Sequence, residues 1–436
     1  MRPRSKSLPL IRLEVSIAEL APGGSGVAIA EIGGERRAIF VRGVVAGDRV
    51  KVDVDTTRRP ARGRVIELVA SGADRVVAAC AHTGRCGGCD WMQVSPEGQR
   101  HAHDAHVRAA LPEAWREMPL AWHAAPKRLG ARARARVHVR ASGGRAIVGM
   151  NEAGSDEPVE VDTCVVLDPA LDRARAELEP LLSGAHGRGD AQIALGIGSL
   201  PVLDLRWDGG LPPTFFGRME QAIAEGRWAG ARVLQGKAIK PATIGDPTPW
   251  MRGADGAPLR LAPGGFAQSS EDANAVLAER VAALVQETSA SRVVELFAGA
   301  GNFTILLARS TAGGAAPEVI AVEADRAACD AARKNLAARG LTARVVEADA
   351  ATFVPPARTQ LVLLDPPRTG ARAVAEALAT TPVRYVVYVS CDPQTLARDL
   401  TILAGARYRP RAVELVEMFP GTSHIETVVA LERSRA

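Results

Sequence analysis

Residues 293–365 constrain what this chain can fold into more than any other stretch. Four short apolar runs follow one another there: VVELF (293–297), VIAVE ending at Glu323, ARVVEAD ending at Asp349, and LVLLD ending at Asp365. Each is of strand length and the last three close on an acid, the pattern of an open α/β sheet that offers side chains to ligands at the carboxyl ends of its strands. After the first run comes AGAGNFTILLA, where Gly299 and Gly301 allow a tight strand-to-helix turn with the helix N-terminus toward the ligand. Glu323 stands where an acid accepts hydrogen bonds from ribose hydroxyls, and Asp349 where a carboxylate can meet an adenine amine. A dehydrogenase wants the first acid too, so NAD stays open at this point.

A fifth run, in YVVYVSCDPQTLARD (385–399), ends at Ser390, and a helical segment begins near Thr395. Cys391 lies in the turn between them. A lone cysteine in an apolar pattern is most often a small hydrophobe, so its company decides whether it is a nucleophile. Pro366 and Pro367 stiffen the loop after Asp365, and Arg368 follows them. Ahead of the first strand, 270–286 reads as a helix.

The N-terminal third is organised differently. Segments LEVSIAEL, GVAIAEI, RAIFVRGVV, DRVKVDVD and RGRVIELV, split at 22–26, 33–34 and 47–48, predict five short strands in a small closed barrel. GGSGVAIA followed by FVRGVVAGDRVKV resembles the TRAM domain, an OB-like RNA-binding barrel. Cys80, Cys86 and Cys89 come next, with five and then two residues between them, and Cys164 lies far downstream in VDTCVVLD. Soft thiolates in such a set suit zinc or an iron-sulfur cluster, and the spacing is not that of two CxxC knuckles. In KRLGARARARVHVR (127–140), Arg132, Arg134, Arg136, His138 and Arg140 recur at period two, which on a strand places them on one face. Like charges so spaced repel unless an anion compensates, which favours contact with an RNA backbone over a merely solvated face. Residues 168–260 hold one helix (169–182) and apolar strands such as ALGIGSL and PVLDLRW, the remainder of a central domain. The resulting division is 1–74, 75–262 and 263–436.

At 47% hydrophobic and 24% charged, the 436 residues have the composition of a soluble globular protein. The basic start MRPRSKSLPL is followed by no apolar stretch, so neither a signal peptide nor a membrane span is expected, and the cytoplasm is the expected compartment. There, six cysteines argue against disulfides. A net charge of +5, with 48 arginines against 6 lysines, fits a polyanionic partner without requiring one.

Together CxxxxxCxxC with a remote cysteine, FxGxGNF, DPPR, SCxP followed by TLARDL, and MFPGTSHIE resemble the RNA uracil-C5-methyltransferases, in the subgroup with a TRAM domain and a [4Fe-4S] site; the likeness spans essentially the whole chain. The resemblance implies a Rossmann-like class I methyltransferase domain, an N-terminal OB-like barrel and an α+β central domain. It implies S-adenosyl-L-methionine as cofactor, with Gln268, Phe297, Asn302, Glu323, Asp349 and Asp365 in the cofactor and active-site pocket beside Gly299 and Gly301. Cys391 matches the nucleophile, Glu426 the general base, and Cys80, Cys86, Cys89 and Cys164 the cluster ligands. The expected partner is RNA, ribosomal ahead of transfer RNA, with a single-stranded, looped or flipped target base met by a monomer. Arg132, Arg134, Arg136 and Arg140 are the expected RNA contacts, and the cluster is expected to be structural because methyl transfer needs no electrons.

Uracil C5 becomes nucleophilic enough to take a methyl group only after a thiolate adds to C6, and a base must then remove the C5 proton. A helix N-terminus beyond Cys391 would favour its thiolate, while Asp392, standing where the family has Asn, would oppose it. Ser270 likewise replaces an Asn and Ala298 a Cys. A cytosine-C5-methyltransferase shares the thiol logic, but its PC motif with an acidic partner is absent. A non-catalytic RNA-binding protein would not need Cys391 and Glu426 intact.

Overall fold

The computed structural model describes residues 10–309 and 316–434. The basic stretch before Leu10 lies outside them. Among the described residues no helix is long and apolar enough to cross a membrane. Two compact units emerge: the first runs to Val107 and takes in Pro420–His424, and the second runs from Arg108 to Phe419 and resumes at Ile425.

In the first unit, β1 (Ile11–Ser16), β2 (Glu19–Leu20), β3 (Gly26–Ile32), β4 (Glu35–Val41), β5 (Arg49–Asp55) and β6 (Ala61–Ala70) form one sheet in the order β1-β5-β6-β4-β3-β2. The two ends of that order, β1 and β2, are one bent stretch of chain, so the sheet closes on itself. At the bend Ile17 N–H donates to Asp48 O and Ala18 N–H to Val27 O, both at 2.8 Å. LEVSIAEL, read as one strand, is therefore broken in two by the turn that closes the barrel. Val15, Ile17, Ile39, Val41, Val50, Val52 and Val54 fill the inside. An irregular segment with three of the cysteines leads to α1 (Pro96–Ala110). Segment 420–424 is fastened here: Gly421 O accepts Trp91 N–H at 2.9 Å, and the Asp90 carboxylate accepts Ser423 N–H at 2.8 Å and its hydroxyl at 2.6 Å.

The second unit opens with β7 (Leu120–His123) and then a central sheet of β8 (Arg134–Ser142), β9 (Arg145–Gly149), β10 (His186–Leu195), β11 (Pro201–Gly210), β12 (Gly230–Gln235) and β13 (Ala242–Gly245), ordered β13-β12-β11-β10-β8-β9. Helices α2 (Pro169–Leu181) and α3 (Pro213–Ala224) share its core through Leu171, Leu178, Phe215 and Met219, packed with Val137, Val139, Ile193 and Leu205. Alternation along β8 buries Ala135, Val137, Val139 and Ala141 as the period-two pattern requires. A hairpin, β14 (Trp250–Arg252) and β15 (Pro258–Arg260), precedes the last part.

That part contains α4 (Glu271–Gln286), β16 (Arg292–Leu296), α5 (Asn302–Leu307), β17 (Glu318–Glu323), α6 (Arg326–Ala337), β18 (Arg344–Glu347), β19 (Leu361–Leu364), α7 (Arg372–Thr380), β20 (Tyr385–Ser390), α8 (Pro393–Gly405), β21 (Tyr408–Val416) and β22 (Glu426–Arg433). Its sheet runs β18-β17-β16-β19-β20-β22-β21-β7. Strands β16 to β20 pair in parallel, β22 is antiparallel to both neighbours, and β7 adds itself to β21 from the far side of the central sheet in sequence. Burial on both faces explains the uninterrupted apolar runs: all four residues of β19 are fully buried. Glu414 of β21 accepts both Arg280 of α4 and His123 of β7, at 2.8–2.9 Å, and so fixes the added strand.

Candidate active site

From β16 the connections run one way to β17 and β18 and the other way to β19 and β20, and a crevice opens where the order reverses. Gln268, Phe297, Gly299, Asn302 and Asp365 line a cavity there, with Phe266, Met251 and Leu261 as its apolar wall. Phe297 leaves β16 with φ of 63°, in the left-handed region that phenylalanine rarely adopts. Gly299 (φ 55°) and Gly301 (φ 86°) continue the turn into α5. Glu323 Oε2 accepts Gly299 N–H at 2.9 Å and Oε1 accepts Asp325 N–H at 2.8 Å. A carboxylate has about four acceptor sites, so Glu323 keeps capacity for ribose hydroxyls. Asp349, just past β18, is exposed and accepts Ala351 N–H at 2.9 Å.

Asn302 differs in kind. Its amide exchanges hydrogen bonds with Asn274, at 2.8 and 3.2 Å, and accepts Ala254 N–H at 3.1 Å, so it fastens α4 and the hairpin to the glycine turn. Ser270 is the N-cap of α4, its hydroxyl accepting Ala273 N–H at 3.3 Å. The amide lying nearby in sequence is thus Asn274, one turn on.

Antiparallel pairing of β20 with β22 sets Ser390 against Thr427, and one further step in that register sets Cys391 against Glu426. Asp365 follows Leu364, which pairs with Tyr388, so three strand ends bring thiol and two acids together. Glu426 is 4% exposed. Burial, then Asp365, pushes its carboxyl up, while Arg368 pulls it back. Burial also pushes Asp365 up. The Cys391 thiol is pushed up to about 12 by burial first, then by Glu426 and Asp365; Arg368 opposes this and Asp392 adds less than either acid. The expectation of a thiolate favoured by the helix N-terminus is corrected by this. The cap exists, with Asp392 Oδ1 accepting the N–H groups of Gln394 and Thr395 at 2.9 Å and Pro393 at the first helical position, but burial and two acids outweigh it.

Residues 356–434 match the family model described as tRNA (Uracil-5-)-methyltransferase, and 258–385 the methyltransferase small domain. The 23S rRNA (uracil(1939)-C(5))-methyltransferase RlmD of Chromohalobacter salexigens is 33% identical over 96% of this chain and 89% of that protein. The protein of the same name from Halomonas elongata is 34% identical over 97% and 89%. The chain belongs to the RNA uracil-C5-methyltransferase family. The Pyrococcus abyssi tRNA (uracil-54, C5)-methyltransferase, solved with S-adenosyl-L-homocysteine, shares its fold: TM-score 0.74, 21% identity, 96% of this chain and 100% of that one. The family's three-part architecture, an OB-like barrel, an α+β domain and a Rossmann-like class I domain, is the fold read from the sequence, and its chemistry is S-adenosylmethionine-dependent.

The remaining predicted residues of this family member fall into different settings. On β8, Arg136 and Arg140 are exposed, and Arg140 pairs with Glu157. Arg134 is turned to the chain itself, donating to the carbonyls of Gly265 and Ala267, the latter at 3.4 Å, and burial lowers its guanidinium to about 10. Arg132 lies ahead of the strand, its guanidinium 5.8 Å from the centre of the Phe419 ring. Cys80, Cys86, Cys89 and Cys164 are half-buried. Gly88 N–H points at Cys86 Sγ at 3.4 Å, and Cys164 borders the central core. Among the described residues no three His, Cys, Asp or Glu side chains are grouped closely enough to hold a metal ion.

One acid went unnoticed in the sequence. Glu295 of β16 is fully buried, accepts the Thr304 hydroxyl at 2.6 Å, and is pushed up to about 8 by burial, with Asp365 and Glu323 adding to the effect. An acid inside the apolar run VVELF was the available signal.

Proposed function

We propose that this chain forms 5-methyluridine in 23S rRNA, with Cys391 as nucleophile and Glu426 as general base. The observation that carries the reading is the register of β20 and β22, which sets thiol against carboxylate beside the cofactor crevice; the ribosomal target rests on the names of the relatives. Cys391 gives its thiol proton to solvent and adds as a thiolate to C6 of the flipped uracil, and the C5–C6 π pair moves to make C5 an enolate carbon. C5 then takes a methyl group, which S-adenosylmethionine would supply from the crevice, where Glu323 and the glycine turn would hold it. Glu426 removes the C5 proton as the C6–S bond breaks and the thiolate leaves. A carboxylate raised by burial is suited to this, because it is a stronger base than an ordinary glutamate. RNA carrying 5-fluorouridine at the target keeps fluorine where the proton would be removed. It is expected to trap an adduct with the wild type and none with Cys391→Ala; an adduct that survives the substitution sinks the assignment. Fragments of 23S rRNA and of tRNA offered in parallel read out the target.

We assign Cys80, Cys86, Cys89 and Cys164 as ligands of a [4Fe-4S] cluster with a structural role. The soft donor set supports this. The thiols are not gathered as they stand, so no step of the reaction is derived from the cluster. Iron and acid-labile sulfide content, compared between wild type and Cys164→Ser, tests it; equal content overturns it. Arg136 and Arg140 are the β8 residues best placed to meet phosphate.

A further inference from the structure

Asp365 and Arg368 both belong to the loop DPPRTGA (365–371) after β19, and that loop is held by α8, the helix that begins two residues past Cys391. Three side chains of α8 reach three of its peptide groups. The Thr395 hydroxyl donates to Arg368 O at 3.2 Å, Arg398 Nη2 donates to Thr369 O at 3.0 Å, and Asp399 Oδ2 accepts Ala371 N–H at 2.7 Å. Positions i, i+3 and i+4 share one helix face, so a single face does this.

Asp399 is fully buried and is fixed in turn. Its Oδ2 also accepts the Tyr388 hydroxyl at 2.7 Å, and Oδ1 accepts Arg398 Nε at 2.7 Å. The approach of loop to helix is so close that a Cβ on Gly370 would come within 2.6 Å of Arg398 and 2.8 Å of Asp399, at a φ of +72° that only glycine adopts readily. Among the described residues, the charged groups that weigh most on Cys391 are Glu426 from β22, Asp365 and Arg368 from this loop and Asp392 from the helix cap, and of these four Arg368 is the cation. The Thr395 hydroxyl lies within hydrogen-bond reach of both Arg368 O and Asp392 O, at 3.2 and 3.3 Å, so the backbone that carries Arg368 is held next to the residue that follows Cys391.

We propose that Thr395, Arg398 and Asp399 clamp the 365–371 loop so that Arg368 stays beside Cys391, making Arg398 and Asp399 positioning residues for the attack of the thiol on uracil. A cation within a few ångströms favours the thiolate, and the effect fades as it moves into solvent. The inference rests on the reading of Cys391 as nucleophile.

Alkylation of Cys391 by iodoacetamide in the full chain, followed across pH by mass spectrometry of its peptide, tests the clamp without any RNA. Arg398→Gln changes an exposed side chain and leaves buried Asp399 in place. Arg368→Gln and Arg398→Gln are each expected to slow alkylation near pH 8 by roughly threefold to tenfold, as an upward shift of up to about one unit in the thiol requires. The double variant is expected to be no slower than Arg368→Gln, because the second change acts through the first. Unchanged alkylation in Arg398→Gln overturns the proposal, as do losses that multiply in the double variant, which would show Arg398 acting on the thiol directly. The separate adduct assay with 5-fluorouridine RNA then distinguishes a failed clamp from a failed assignment: wild-type protein that forms no adduct rejects the nucleophile reading whatever the alkylation rates show.

Discussion

At the residue scale the site is a thiol kept protonated first by burial and then by two neighbouring acids, one of them the proposed base. Burial and the neighbouring carboxylates raise Cys391 to about 12, so only a small fraction of the sulfur is thiolate at neutral pH. Removing the Glu426 charge is expected to act in two directions. In Glu426→Gln the thiol loses a repulsive neighbour, so its alkylation near neutral pH rises, while 5-methyluridine formation falls by about 10²–10⁴ because no base takes the C5 proton. With ordinary uridine RNA and cofactor, this variant is expected to accumulate a covalent RNA adduct visible as a shifted band on a denaturing gel; normal turnover would remove Glu426 from the mechanism. Cys391 itself was legible in the sequence because a strand end, a capped helix and MFPGTSHIE all pointed to it. Its high pKa was not, because the acids responsible lie 26 residues before it and 35 after it and meet it only through sheet register. For the same reason Asp392, its sequence neighbour, looked more important than it is.

Among the elements, β8 shows what periodicity can and cannot say. The alternation of Arg with Ala and Val gave the buried face correctly, since a strand's two faces follow from geometry alone. It could not separate Arg134 from Arg136, because the carbonyls that occupy Arg134 come from Gly265 and Ala267, some 130 residues on. Strand β7 was invisible for a related reason: four residues ahead of the central sheet carry no pattern that announces pairing with β21. What fixes β7 is Glu414. Burial works against its charge, but hydrogen bonds from Arg280 and His123 prevail and its carboxyl lies below the ordinary value. A depressed carboxylate contributes stability above its unfolded pKa and loses it as pH falls through the folded value. Glu414→Gln is therefore expected to cost about 2 kcal/mol at neutral pH and progressively less under acid conditions, measured by urea unfolding across pH. A cost that does not change with pH would show that the charge is not what holds the strand.

Over the whole molecule, the barrel and the strand-and-helix half were legible because each announces itself locally, by short β segments and by strand ends bearing acids; the clustered cysteines, read together with the basic strand, lie in the first unit with the barrel while that strand lies in the second. The path of the chain among them was not. Strands β21 and β22 belong to the second unit, yet Pro420–His424 between them belongs to the first, where Asp90, Trp91 and Gln99 hold it by Ser423 and Gly421. A fragment beginning at Arg108 lacks all three holders and is expected to lose methylation, with the 420–424 loop becoming open to protease. Full activity in that fragment would show the loop to be self-supporting.

That threading bears on how such a protein can be inherited and remodelled. One residue, Ile425, separates His424 from Glu426, so the proposed catalytic base sits almost at the point where the chain returns from one unit to the other. No single cut in the gene yields both halves whole. An exchange of the N-terminal module for another, of the kind that reshuffles domains joined by a plain linker, would have to bring its own partner for Ser423 or leave the 420–424 segment unheld. Barrel and catalytic half are thus expected to diverge as one lineage, with the five-residue insert and its anchors changing together.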